Sequence, residues 1–171
     1  MRLVDENRLE YRSMTMDDIG TIVEIERESF ASPWSEEAFR NELQNNMFAN
    51  YMIMEADGVI IGYGGMWLIV DEAHVTNIAV REVYRGQGLG KKLLQELMRT
   101  AHWLGALRMT LEVRVSNEPA KSLYKRMGFY PSGIRPAYYS DNMEDALIMW
   151  AELAPEGASE ETAGAAEGEQ R

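Results

Sequence analysis

Asn77-Ile78-Ala79-Val80, then Arg81-Glu82-Val83-Tyr84, then Arg85-Gly86-Gln87-Gly88-Leu89-Gly90-Lys91 is the stretch on which the fold turns. Strand-forming residues come first. After the glycines, Leu89, Leu93, Leu94, Leu97, Met98, Ala101 and Leu104 recur every three or four positions, the period of an amphipathic helix, and Gly105 closes it. Glycines at 86, 88 and 90 clear the side chains from this strand-to-helix turn, so successive backbone N–H groups can approach an anion at the positive end of the helix. The spacing predicts a phosphate-binding loop. It is not a Walker A loop, because position 85 is not glycine and no Ser or Thr follows Lys91. Nor does Gly-x-Gly-x-Gly match the Gly-x-Gly-x-x-Gly of dinucleotide-binding folds.

Upstream, Thr15 and Asp18 form a capping pattern, and Ile19, Ile22, Val23 and Phe30 follow near helical spacing, which predicts a first helix after Thr15. Ser32-Pro33-Trp34 breaks it. Ser35 caps a second helix, with Glu36 and Glu37 in its first turn and Phe39 and Leu43 on one face, ending near Asn45-Asn46. Tyr51 to Glu55, Asp57-Gly58 and Val59 to Val70 read as a hairpin, and Ala73 to Val80 as a third strand. Downstream, Leu107 to Val115 alternates as a strand does. Asn117 caps a helix with Pro119 in its first turn, Ala120, Leu123, Tyr124 and Met127 along its apolar stripe and Gly128 as its stop. A strand around Ala146 to Trp150 closes the order. Two helices, three strands, helix, strand, helix and strands predict an α/β fold with a mixed sheet.

With 171 residues, 46% of them hydrophobic and 26% charged, the chain suits one globular domain with one site. We expect an N-terminal extension over 1–9, the domain over 10–153 and a disordered acidic tail over 154–171, which lacks large apolar residues to offset its ordering entropy. A net charge of −11 argues against a nucleic-acid partner and permits a basic substrate. No apolar run suits a membrane span or a signal peptide, so the expected location is cytoplasmic. The absence of cysteine excludes disulfides, thiolate metal sites and a cysteine nucleophile. His74 and His102 stand far apart and read as ordinary structural residues, so no metal is expected.

Arg85-x-x-Gly88-x-Gly90 resembles the cofactor loop of the GNAT acetyltransferases. The likeness extends over roughly residues 10 to 152: Tyr11 to Thr15, Asp18, Glu26, Phe30, Ser32-Pro33-Trp34-Ser35, Asn77 to Val80, Leu111-Glu112-Val113-Arg114, Asn117, Ala120, Leu123-Tyr124, Gly128-Phe129, Tyr138-Tyr139 and Glu144-Asp145-Ala146. Together these look like the RimI-type ribosomal-protein alanine N-acetyltransferases, with strands splayed around the cofactor and helices on both faces. Ala31 departs from the proline many relatives carry there.

The resemblance implies that Arg85, Gly86, Gln87, Gly88, Leu89, Gly90 and Lys91 hold the pyrophosphate of acetyl-coenzyme A, and that the backbone of Ile78, Ala79 and Val80 pairs with its pantetheine arm. It also implies Glu112 as general base, Tyr124 as general acid, and Trp34, Tyr138 and Tyr139 at the acceptor site. By position alone, Glu112 is a carboxylate on a solvated strand face with Arg108, Thr110 and Arg114, and Tyr124 is a core residue. Asn117 stays open between a simple helix cap and a cofactor contact. The implied acceptor is the amino-terminal alanine of a small-subunit ribosomal protein. An α-amine suits neutral pH because its pKa of ~7.8 lies about 2.6 units below that of lysine. A lysine or small-amine acetyltransferase, or a non-catalytic sensor of acetyl-coenzyme A, are the alternatives.

Overall fold

The computed structural model describes residues 1–153, so the expected tail over 154–171 lies outside the described residues. Strands β1 (Leu9–Ser13), β2 (Ala49–Ala56), β3 (Val59–Ile69), β4 (Glu72–Val80), β5 (Arg108–Arg114), β6 (Tyr130–Arg135) and β7 (Ala146–Glu152) form one sheet in the order β1-β2-β3-β4-β5-β7-β6. Helices α1 (Ile19–Ser29) and α2 (Glu36–Asn45) pack on one face, α3 (Leu89–Trp103) and α4 (Glu118–Arg126) on the other. The expected element order holds from α1 through α4. Two strands were not anticipated: β1, which precedes the helices and pairs with β2, and β6, which lies at the opposite edge against β7.

Local signals act where the sequence placed them. Asp57 and Gly58 both take positive φ (51° and 77°) in the β2–β3 turn. Ser35 accepts from the Ala38 N–H at 3.1 Å to start α2, and Asn117 accepts from the Ala120 N–H at 3.2 Å to start α4. The first helix begins later than expected: Met16–Asp18 form a tight 3-10 turn before α1. The Thr15–Asp18 capping box forms at this turn, Asp18 accepting from the Thr15 N–H (2.7 Å), and Asp18 also accepts from both Arg12 terminal nitrogens (2.8 and 2.9 Å).

All neighbouring strands are antiparallel except β4 and β5. That parallel pairing covers only Glu72↔Arg108, Ala73↔Met109 and His74↔Thr110. Beyond it, β4 continues along β3 and β5 along β7, and the two part. A bulge lies at the point of departure: Gly65 faces Asn77 and Met66 faces Val75, leaving Thr76 as the extra residue. Bulges bend a strand and raise its twist.

Two glycines of β3 let the layers close on this region. A Cβ at Gly64 would stand 2.5 Å from Leu97 of α3, and one at Gly65 would stand 2.2 Å from the Tyr51 ring, whose hydroxyl lies 3.3 Å from Thr76 Oγ1. Gly65→Ala should therefore destabilise the fold by about 1–3 kcal/mol in urea unfolding, since the ring has to move. Gly90→Ala, where an added methyl meets nothing within 4 Å, should cost no stability. Equal stability of the two variants would contradict this packing.

Candidate active site

Where β4 leaves β5, a cleft of about 310 Å³ opens. Ile78, Ala79 and Val80 form one wall, Arg85, Gly86, Gly88, Leu89 and Gly90 its end, and Ser29, Phe30, Leu123 and Tyr124 the remainder. Strand geometry fixes what the wall presents. The Arg81 N–H donates to Ile61 O of β3 at 2.8 Å, and successive N–H groups of a strand point to opposite edges. The N–H groups of Ile78 and Val80 therefore point away from β3, into the opening. Val80 O on that edge is taken by Arg85 Nε at 2.9 Å.

The loop behaves as its glycines require. Gly86 and Gly88 have φ of 85° and 79°, a region that disfavours any side chain, and Gly88 leads into α3 with no side-chain cap. The first-turn N–H groups of α3 are thus left for an anion. Arg85 acts partly as a strut, since its other arm donates to Ser29 Oγ at 2.9 Å. Gln87 does not line the cleft: its amide bonds Tyr84 O at 2.9 Å, Arg2 O at 2.6 Å and the Val4 N–H at 3.0 Å. Lys91 and Asn117 are likewise absent from the lining. For Asn117 the observed contact is the cap.

Tyr124 lines the cleft from α4, its ring 5.8 Å from that of Phe129. Burial pushes its phenol up to about 12, so it keeps its proton across the neutral range. Glu112 stands on the other side of the sheet. Its neighbours Leu111 and Val113 face the cluster that includes α3 and Tyr124, and alternation turns Glu112 the opposite way. The two groups thus flank the gap between β4 and β5 from opposite faces.

Glu112 is not on an open, solvated face, and its partners are not Arg108 or Arg114. Its side chain is 8% exposed, with Oε2 2.6 Å from His74 Nε2 and Oε1 accepting from Arg135 Nε at 3.1 Å. Burial pushes the carboxyl up, but the His74 and Arg135 bonds outweigh it and hold it below the usual range. Arg108 pairs with Glu72 and Arg114 with Asp141 and Glu144. His74, read from the sequence as an ordinary structural residue, is thus bonded to Glu112. An ionised carboxylate only accepts, so His74 Nε2 is the donor in this bond.

Three further residues complete the neighbourhood. Tyr138 is pushed up by burial and then by the charge of Glu112, and lies 5.1 Å from Tyr139, over which Arg114 stacks at 4.0 Å. Trp34 packs on Phe39 at 5.5 Å, in the α1–α2 connection. Its N–H donates to Glu26, which is 2% exposed and also bonds the Tyr63 hydroxyl and Asn77 Nδ2. Glu26 therefore ties the Trp34 loop to β3 and to the start of the cleft wall. Among the described residues, no group of His, Asp or Glu has a metal-site arrangement, and no helix is long and apolar enough to cross a membrane.

The sheet is split along one parallel pair, with a glycine turn at the end of the split, and residues 19–129 match the Acetyltransferase (GNAT) family. The chain belongs to this family of N-acetyltransferases. It is 36% identical over 139 residues to the ribosomal protein bS18 alanine N-acetyltransferase of Escherichia coli, covering 80% of this chain and 93% of that protein. A Bacillus subtilis protein provisionally given the same name is 48% identical over 142 residues, covering 83% of this chain and 94% of its own length. The crystal structure of the Escherichia coli enzyme superposes with a TM-score of 0.79 at 32% identity, covering 88% of this chain and 97% of that one.

Burial pushes Glu26 up to about 7, against the Trp34 and Asn77 bonds that lower it. A glutamate's unfolded value is about 4.3, so the folded state holds this proton more firmly. The resulting stabilisation is full below pH ~4.3 and is lost as pH rises through about 7. Glu26→Gln removes the titration. The melting temperature of the native chain minus that of the variant should thus fall by a few degrees between pH 5 and pH 8, and a constant difference would contradict the assignment.

Proposed function

We propose that the domain over 10–153 transfers acetyl from acetyl-coenzyme A to the amino-terminal alanine of a small-subunit ribosomal protein. The observation that carries this reading is the placement of Tyr124 and Glu112 on opposite faces of one gap in the sheet. In this reading the Arg85–Gly90 turn and the free first-turn amides of α3 hold the pyrophosphate, and the Ile78 and Val80 N–H groups meet the pantetheine arm as a neighbouring strand would. Bound there, acetyl-coenzyme A supplies the activated thioester. The Val80 N–H polarises its carbonyl in an oxyanion-hole role.

The acceptor approaches from the face of Glu112, His74, Tyr138 and Tyr139, with Trp34 at its border. Its amine attacks the thioester carbonyl as the carbon–sulfur bond breaks. The amine proton passes to the Glu112–His74 pair, directly or through water, and Tyr124 protonates the departing thiolate. Glu112 alone is a weak base for this step: its pKa is lowered, whereas catalytic bases work best near the operating pH. His74, bonded to Glu112 and more exposed than it, gives the proton a path out. An acidic chain also attracts the basic peptides typical of ribosomal proteins. Action on such proteins fits a cytoplasmic location. Acetylation of bS18 at alanine, for which the Bacillus subtilis and Escherichia coli relatives are named, supports the acceptor.

Mass spectrometry of acetylated peptides tests this function. A free alanine-terminal cationic peptide should be acetylated at its α-amine, while the same peptide with a blocked terminus and an internal lysine should not. Preferential lysine acetylation would overturn the acceptor. Glu112→Gln and Tyr124→Phe should each lower kcat by about 10²- to 10⁴-fold with acetyl-coenzyme A affinity retained. Near-normal turnover of either would remove that residue from the chemistry.

A further inference from the structure

The first residues of the chain are not a detached extension. The Arg2 N–H donates to Val83 O at 2.6 Å, and Lys92 Nζ lies 3.2 Å from Glu6. Between these two points sits Gln87, the middle residue of the glycine-flanked turn. All three of its side-chain bonds are internal to this contact: it accepts from Val4 N–H and donates to Arg2 O and Tyr84 O. The Met1 sulfur covers Gly86, 3.6 Å from where a Cβ would stand.

We infer that residues 1–6 are a built-in brace that holds the cofactor loop in its anion-binding shape, acting through Gln87. The inference rests on the reading of this loop as the acetyl-coenzyme A site. The physical reason lies in the two positive-φ glycines on either side of Gln87. Glycine carries the largest backbone freedom of any residue, so a loop built on it loses the most entropy when it orders around a ligand. Tying its central side chain to a distant segment takes that loss at folding rather than at binding. Gln87 is then a positioning residue: it shapes the loop and leaves the phosphate contacts to backbone amides. Glu6 adds an electrostatic element, for it neutralises Lys92 in the first turn of α3 and anchors the end of the brace there.

The test compares the full chain with a variant lacking residues 2–6, with Gln87→Leu, and with both changes combined. Calorimetric titration with acetyl-coenzyme A should show affinity about tenfold weaker in each single variant. The combined variant should be no weaker than either, because both changes release one device. Turnover at saturating cofactor should be nearly unchanged in the shortened chain. Without ligand, amide exchange at residues 85–90 should quicken in all three variants while that of Tyr63 in β3 stays the same. Undiminished affinity together with unchanged loop exchange in the shortened chain would overturn the brace, as would additive losses. If the full chain itself fails to bind acetyl-coenzyme A, the cofactor assignment falls, and the exchange rates still decide whether the loop is braced.

Discussion

The β4–β5 pairing stops after three residue pairs, and the site follows from that. A central strand that loses a neighbour leaves backbone N–H and C=O groups unmatched, and buried backbone groups cannot stay so without cost. On β4 the Val80 carbonyl finds Arg85, while the Ile78 and Val80 N–H groups remain directed into the opening. The same parting leaves a gap between β4 and β5, with the cleft and Tyr124 on the α3 face and Glu112 on the other.

Two buried carboxylates near this gap are driven in opposite directions. For Glu26, burial outweighs the bonds it accepts, and the group is raised to about 7. For Glu112, a histidine and an arginine outweigh burial, and the group is lowered. By pKa alone Glu26 would be the better proton acceptor at neutral pH. Geometry decides otherwise, because its oxygens are occupied by Trp34, Tyr63 and Asn77, which makes it the tie between the α1–α2 loop and the cleft wall. Glu112 instead bonds two partly exposed side chains, His74 and Arg135.

Much of this was legible in the sequence where the signal is local. The glycine turn, the α3 period, the Ser35 and Asn117 caps and the Asp57-Gly58 turn each need only a few consecutive residues. What escaped depends on residues distant in sequence. β1 is a five-residue edge strand whose partner comes 40 residues later, after two helices. The His74–Glu112 contact requires the parallel pairing of His74 with Thr110, which no alternation pattern reveals. Gln87 belongs to the loop motif, and that its side chain bonds the chain's first residues is a contact no local pattern reveals. Ser29, Phe30 and Leu123 reach the cleft only because α1 and α4 end beside it.

Amide hydrogen exchange of Ile78 and Val80, measured with and without acetyl-coenzyme A, addresses the splayed strand most directly. The open edge of β4 predicts that these two amides slow on binding, while that of Ala79, already directed toward β3, changes little. Equal exchange at Ile78 and Val80 in the free and saturated protein would contradict a cofactor seated along β4.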